Sequence, residues 1–178
     1  MKRIISIFCI SILLASCGST KSINDLATDN PINTYIDLMA VTDDKVPVVI
    51  NPGRFTTESV TYRLPKVVQG TYSVSDFGSF IDDFKAFDYA GNELGVNRTD
   101  TNTWLIKNGE QLDKITYYVN DTYDIEGGTI PTPFSPSGTN IEPDNYVLNL
   151  HGFIGYFDAL KNGQYNLDIS APAEFKRT

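Results

Sequence analysis

The stretch Trp104-Leu105-Ile106-Lys107-Asn108-Gly109-Glu110-Gln111-Leu112-Asp113-Lys114-Ile115-Thr116-Tyr117-Tyr118-Val119 decides the class of fold. Apolar residues recur at every second position on both sides of Asn108-Gly109, and a period of two marks a strand with one buried face. Asn-Gly between two such runs predicts a tight hairpin, because that turn needs positive φ at both central residues. The expected pairing sets Trp104 and Ile106 beside Ile115, Tyr117 and Val119.

The same alternation extends in both directions. Ile36, Leu38 and Ala40 share one face; Val46, Val48 and Ile50 follow after an Asp43-Asp44 turn, and Val60, Tyr62 and Leu64 alternate with Thr61 and Arg63. Later, Tyr146, Leu148 and Leu150 form one set, and Tyr165, Leu167 and Ile169 form another after Asn162-Gly163. One segment breaks the period: Phe80, Phe84 and Phe87 stand at helical spacing. Ser79 is placed to cap a short helix there, with Asp82 and Asp83 in its first turn, where the helix dipole favours anions. This element is a short helix or a turn leading into a strand that ends at Ala90-Gly91-Asn92. From Glu126 to Asp144 runs a connection rich in Pro, Gly, Ser and Thr, of a length that tends to be functional or mobile. Many short strands and one helical turn indicate an all-β chain, an antiparallel β-sandwich.

The N-terminus has a different character. Lys2 and Arg3 precede an apolar run from Ile4 to Leu14 that is too short to cross a bilayer, which takes roughly 20 residues. Ala15 and Ser16 ahead of Cys17 read as a bacterial lipobox, in which the cysteine is acylated and becomes the first residue. The alternative is an ordinary cleaved signal that leaves a free cysteine. The organisation expected is therefore a lipoprotein signal peptide over 1–16, a flexible tether over 17–33 and one β-sandwich over 34–178. Cys9 falls in the signal and Cys17 takes the lipid, so the fold depends on its core without a disulfide. Removing residues 1–16 lowers the basic count from 14 to 12 and leaves the 22 acids, a mature charge of about −10. Such a balance argues against nucleic acid or anionic lipid as a partner. Membrane association is expected through the lipid, at the outer membrane and on its periplasmic face.

A second stretch, Leu64 to Phe77, resembles a segment of the glycyl aminopeptidases, metallopeptidase family 61. Their N-terminal domain carries a pattern similar to Leu-Pro-x-Trp-x-Pro-Gly-x-Tyr-x-x-x-Asp-Phe. This chain matches at Leu64, Pro65, Gly70, Tyr72, Asp76 and Phe77, and departs with Val67 for Trp and Gln69 for Pro. The landmarks that follow keep the family's order: Phe84 to Leu94, Asn102-Thr103-Trp104, Ile115 to Val119 and Gly155-Tyr156-Phe157. The resemblance, from about Thr34 to Ala173, implies a β-rich module that precedes a thermolysin-like zinc domain and flanks its cleft. It makes Pro65, Gly70 and Tyr72 candidates for a substrate-facing edge. Glycine also serves a backbone angle or a close approach, which is the plainer reading of Gly70. Trp104 reads as a core anchor in preference to a ligand platform.

Catalysis of the implied kind needs a His-Glu-x-x-His helix, with two imidazoles on the metal and a glutamate to activate water. The chain has one histidine, His151, at the end of a strand pattern. No catalytic or metal-binding residue is therefore assigned, and zinc is implied only for the absent catalytic domain. Asp121, Asp124 and Glu126 are close enough in sequence to suit calcium, and an acidic loop accounts for them equally. Asp82-Asp83 as a general acid and base is disfavoured, because sequence neighbours point apart. The expected function is that of the non-catalytic N-terminal domain of a membrane-anchored zinc metalloaminopeptidase, on a truncated or split chain, with peptide as the substrate of the full enzyme. The alternative is a stand-alone lipid-anchored binding module for a peptide, glycan or partner protein.

Overall fold

A computed structural model describes residues 31–123 and 137–175. Twelve strands are present among them: β1 (Ile32–Asp37), β2 (Lys45–Asn51), β3 (Ser59–Arg63), β4 (Ile81–Asp88), β5 (Glu93–Leu94), β6 (Val96–Asp100), β7 (Thr103–Lys107), β8 (Leu112–Asn120), β9 (Asn140–Glu142), β10 (Asn145–Val147), β11 (Tyr156–Phe157) and β12 (Tyr165–Ser170). A one-turn helix, α1 (Leu150–Phe153), stands between β10 and β11. One sheet has the order β12-β1-β2-β8-β4-β5, the other β11-β3-β7-β6, and β9 and β10 pair apart as a hairpin. The signal, Cys17 and nearly all of the tether lie outside the described residues; β1 opens at Ile32, two residues before the expected boundary.

The two sheets face each other across a shared core. Val46, Val48, Ile50, Ile115 and Tyr117 come from the larger sheet and Val60, Tyr62, Trp104 and Ile106 from the smaller, all buried. This is the expected β-sandwich, antiparallel except where β12 runs parallel to β1 and closes the larger sheet with the last strand beside the first.

The expected hairpin at Asn108-Gly109 does not form. Trp104 pairs with Tyr62 on β3, whereas Ile115 pairs with Ile50 on β2 and Ala86 on β4, so β7 and β8 belong to opposite sheets. The dihedrals give the reason. Asn108 has φ 55°, but Gly109 begins a 3-10 turn over Gly109–Gln111 and contributes no second positive φ. Gly109 serves space instead: a Cβ there would lie 2.5 Å from Val60 Cγ2 and 2.6 Å from the Thr57 carbonyl. The apolar faces of Trp104 and Tyr117 therefore meet through the core and not side by side. A tight turn of the expected geometry occurs earlier, where Asp43 and Asp44 both have positive φ (51° and 56°) and a Thr42–Lys45 bridge closes the turn between β1 and β2.

Of the two readings of Ser79–Phe87, the turn leading into a strand holds and the helix does not. A 3-10 turn spans Phe77–Phe80 behind Asp76, which is left-handed at φ 44°, and Ile81–Asp88 is strand. Asp83, at φ 48°, sits in a β-bulge between Asp82 and Lys85. The extra residue resets the alternation, so Ile81, Phe84 and Ala86 all pack inward, and three-residue spacing imitates a helix. Phe87 lies on the other face under the Lys114 ammonium, 5.8 Å from its ring centre. Asp82 and Asp83 serve two different lysines, Lys45 at 2.7 Å and Lys85 at 2.8 Å, and do not cap a helix. Part of the Glu126–Asp144 connection is ordered as β9, and Leu150, expected in a strand, opens α1.

A hydrogen-bonded thread ties the layers together. The Gly155 amide donates to Tyr62 Oη (2.8 Å), Tyr62 Oη donates to Tyr117 Oη (2.8 Å), and Tyr117 Oη donates to the Phe153 carbonyl (2.5 Å). Burial raises the Tyr62 and Tyr117 phenols, and it pushes Tyr165, whose hydroxyl donates to the Gly155 carbonyl, up to about 12. Folding thus favours the protonated phenols. Each contribution to stability is full below the unfolded value of 10.0; that of Tyr165 is lost as pH rises through about 12, and those of the more deeply buried Tyr62 and Tyr117 at higher pH still. Circular dichroism across that window should show unfolding in step with ionisation of these three phenols; full tyrosinate absorbance from all ten tyrosines in a still-folded chain would contradict the placement of these groups.

Candidate functional site

The motif Leu64 to Phe77 forms an outward loop with a rigid base. Leu64 and Phe77 are buried at its two ends. The Lys66 carbonyl accepts from the amides of both Ser75 (2.9 Å) and Asp76 (3.0 Å), and the Pro65 carbonyl accepts from Phe77 (3.3 Å). Asn102, from the turn between β6 and β7, completes the latch. Its carbonyl accepts from the Leu64 amide (3.0 Å), its Nδ2 donates to Asp76 Oδ1 (2.8 Å), and its Oδ1 accepts from the Gly78 amide (2.9 Å). Gly78 is required by space, since a Cβ there would approach Asn102 Cα to 2.8 Å.

Beyond that base the loop turns outward. Gly70 adopts φ 93° with nothing within 4 Å of a notional Cβ, so glycine serves the dihedral and not crowding. Tyr72 is fully exposed at 101% and has φ 54°, an uncommon conformation for a bulky side chain. Val67 and Val74 are half-exposed in the same loop. Pro65, Gly70 and Tyr72 thus lie in one loop, with Pro65 in the base and the other two beyond it.

Under the base lies a cleft of about 380 Å³, lined by Arg63, Lys66, Asp76, Asp100, Asn102 and Tyr156 among others. Arg63 is engaged: its Nε donates to both Asp158 oxygens (3.0 and 3.1 Å) and its Nη1 to Thr103 Oγ1 (2.7 Å). The Asp100 carboxyl is held below the usual carboxylate range, first by the Asn102 amide (2.8 Å) and the Thr103 hydroxyl, then by the charges of Arg63 and Lys66. Neither Asp100 nor Lys66 nor Asn102 stands out from the sequence as a site residue. Only Asn102, within the Asn-Thr-Trp landmark, carried any signal.

The other candidates are structural. Trp104 is buried, stacked on Phe84 with ring centres 4.7 Å apart and covered by the Arg98 guanidinium at 5.0 Å. His151 is exposed on α1. Both carboxylate oxygens of Asp121 accept backbone amides, from Tyr123 (2.6 Å) and Ile141 (2.5 Å), while Asp124 and Glu126 lie outside the described residues. Among the described residues no three His, Cys, Asp or Glu side chains are grouped to hold a metal, and no helix is long and apolar enough to cross a membrane.

Two packed sheets with a braced loop and a polar cleft define an all-β scaffold domain. The family model described as the Peptidase M61 N-terminal domain matches residues 33–178, and the chain belongs to that family. A crystal structure of an aminopeptidase N family protein from Idiomarina loihiensis is similar in fold, with a TM-score of 0.63 at 15% identity. The likeness covers 78% of this chain and 22% of that one, so the chain spans about a fifth of that protein's length. No curated protein matches.

Proposed function

We propose that the chain is the non-catalytic N-terminal domain of a membrane-anchored zinc metalloaminopeptidase of the glycyl aminopeptidase type. It packs on a separate zinc domain and bounds the site where short peptides enter, with the Tyr72 loop at the substrate-facing edge. The match to the peptidase N-terminal family over residues 33–178 carries this reading. The chain's single histidine supports it, because a His-Glu-x-x-His site needs two. Zinc and the water it activates belong to the partner domain. The exposed Tyr72 also favours a second reading, a lipid-anchored module that holds a peptide, glycan or protein by itself.

Purified chain supplied with zinc should release nothing from glycyl-p-nitroanilide above the blank. Chelator-sensitive hydrolysis would overturn the reading. Cys17 is the proposed lipid attachment site, at the periplasmic face of the outer membrane. Cys17→Ala should abolish incorporation of labelled palmitate and move the protein from the membrane to the soluble fraction, since stable anchoring needs more than one acyl chain. Unchanged membrane recovery of the variant would exclude lipidation at that residue.

A further inference from the structure

The charges in the cleft under the loop are left unjoined. Arg63 is neutralised by Asp158, but neither Lys66 nor Asp76 nor Asp100 takes part in any of the ion pairs among the described residues. Asp76 commits one oxygen to the neutral amide of Asn102, and Asp100 commits one to a backbone amide of its own turn. One ammonium and two carboxylates therefore line the same space without meeting. The two carboxylates are each fixed by neighbours, and the Lys66 side chain is exposed. Asp76 and the Lys66 backbone are held by the loop base, and Asp100 is held by Asn102 and Thr103.

A cleft lined in this way disfavours a simple anion, which would meet two carboxylates, and a simple cation, which would meet Lys66. It suits a ligand that carries both charges. The volume, about 380 Å³, falls in the range of small-ligand sites, roughly 300–1,000 Å³. Leu64 and Tyr156 are its only large apolar lining residues, so selection falls on the ligand's ends and backbone more than on its side chains.

We propose that this cleft binds the two charged ends of a short peptide, with Asp76 and Asp100 holding the α-ammonium and Lys66 the carboxylate. The choice of a peptide rests on the reading of the chain as a peptidase companion; the charge pattern rests on the lining alone. In that role the cleft would concentrate short peptides or their cleavage products beside the partner's active site.

The test is a titration of the full chain with triglycine, which has both charges and no side chains, followed by amide NMR. Saturable shifts are expected at Lys66, Asp76, Asp100 and Asn102. N-acetyl-triglycine and triglycinamide, each lacking one charge, should bind about tenfold more weakly, as expected for the loss of one charge-assisted contact. Lys66→Gln should erase the preference over triglycinamide and keep that over the acetylated peptide; Asp100→Asn, with Asp76 still present, should shrink the preference over the acetylated peptide and keep that over triglycinamide. If Asp100→Asn fails to fold, Lys66→Gln and the two blocked peptides still decide the matter. Equal binding of all three peptides, shifts confined to other residues, or no saturation with triglycine would overturn the proposal. Any of these would leave the companion-domain reading standing, because that reading is decided by the hydrolysis assay and not by peptide binding.

Discussion

Trp104→Ala is expected to lower the unfolding free energy by about 4 kcal/mol, the middle of the range for truncating a buried large aromatic. Trp104 is 3% exposed, and its ring meets Phe84 at 4.7 Å and Tyr62 at 6.4 Å between centres. Truncation would leave a void where the two sheets meet, with Phe84 and the Arg98 guanidinium each losing a face. The midpoint of thermal unfolding should fall by roughly 10 °C for a domain of this size. Trp104→Phe should recover about half of the loss by refilling part of the void. Urea denaturation measures both. A loss below about 1 kcal/mol for the alanine variant would show that the ring is not an anchor of the core.

Gly155→Ala is expected to cost about 3 kcal/mol through a different mechanism, overpacking of backbone. An added Cβ would run into the Arg63 carbonyl oxygen and lie 2.8 Å from the Tyr62 ring. Neither neighbour can yield cheaply. Arg63 and Tyr62 are the residues of β3 that pair with Tyr156 and Phe157, so relief requires β11 to leave the sheet. Displacement would also withdraw the Gly155 amide from Tyr62 and break the thread to Tyr117 and Phe153. Gly91→Ala provides the contrast. Gly91 has φ 84° but open space around it, so alanine there should cost only the left-handed dihedral, about 1 kcal/mol. Equal losses at the two sites would mean that crowding at Gly155 is not the controlling factor.

Legibility in the sequence differed from element to element for physical reasons. Val46, Val48 and Ile50 were readable because β2 is flanked on both sides and buries one face without a bulge. β4 left a helix and a turn leading into a strand equally open, because the bulge at Asp83 shifts its parity, and a strand with one inserted residue has the spacing of a helical turn. Asn108-Gly109 was misread because the dipeptide serves a dihedral in one context and a close approach in another. Only the position of Thr57 and Val60 distinguishes them. The cleft was hardest of all: Lys66, Asp76, Asp100 and Asn102 are ordinary polar residues in two separate loops, and their chemistry exists only once the loops meet.

By itself the sequence determined that the chain is all-β, that Val46, Val48 and Ile50 and Val60, Tyr62 and Leu64 face the core, and that the stretch from Leu64 to Phe77 resembles the family of peptidase N-terminal domains. Periodicity and local motif are properties of neighbours along the chain, so they survive without coordinates. Tertiary structure alone decided which sheet each strand joins, because an alternating strand buries its apolar face equally well beside its neighbour or across from it. It also decided how the motif is held, by latching it through Asn102 so that Tyr72 stands outward and Lys66, Asp76 and Asp100 line one cleft.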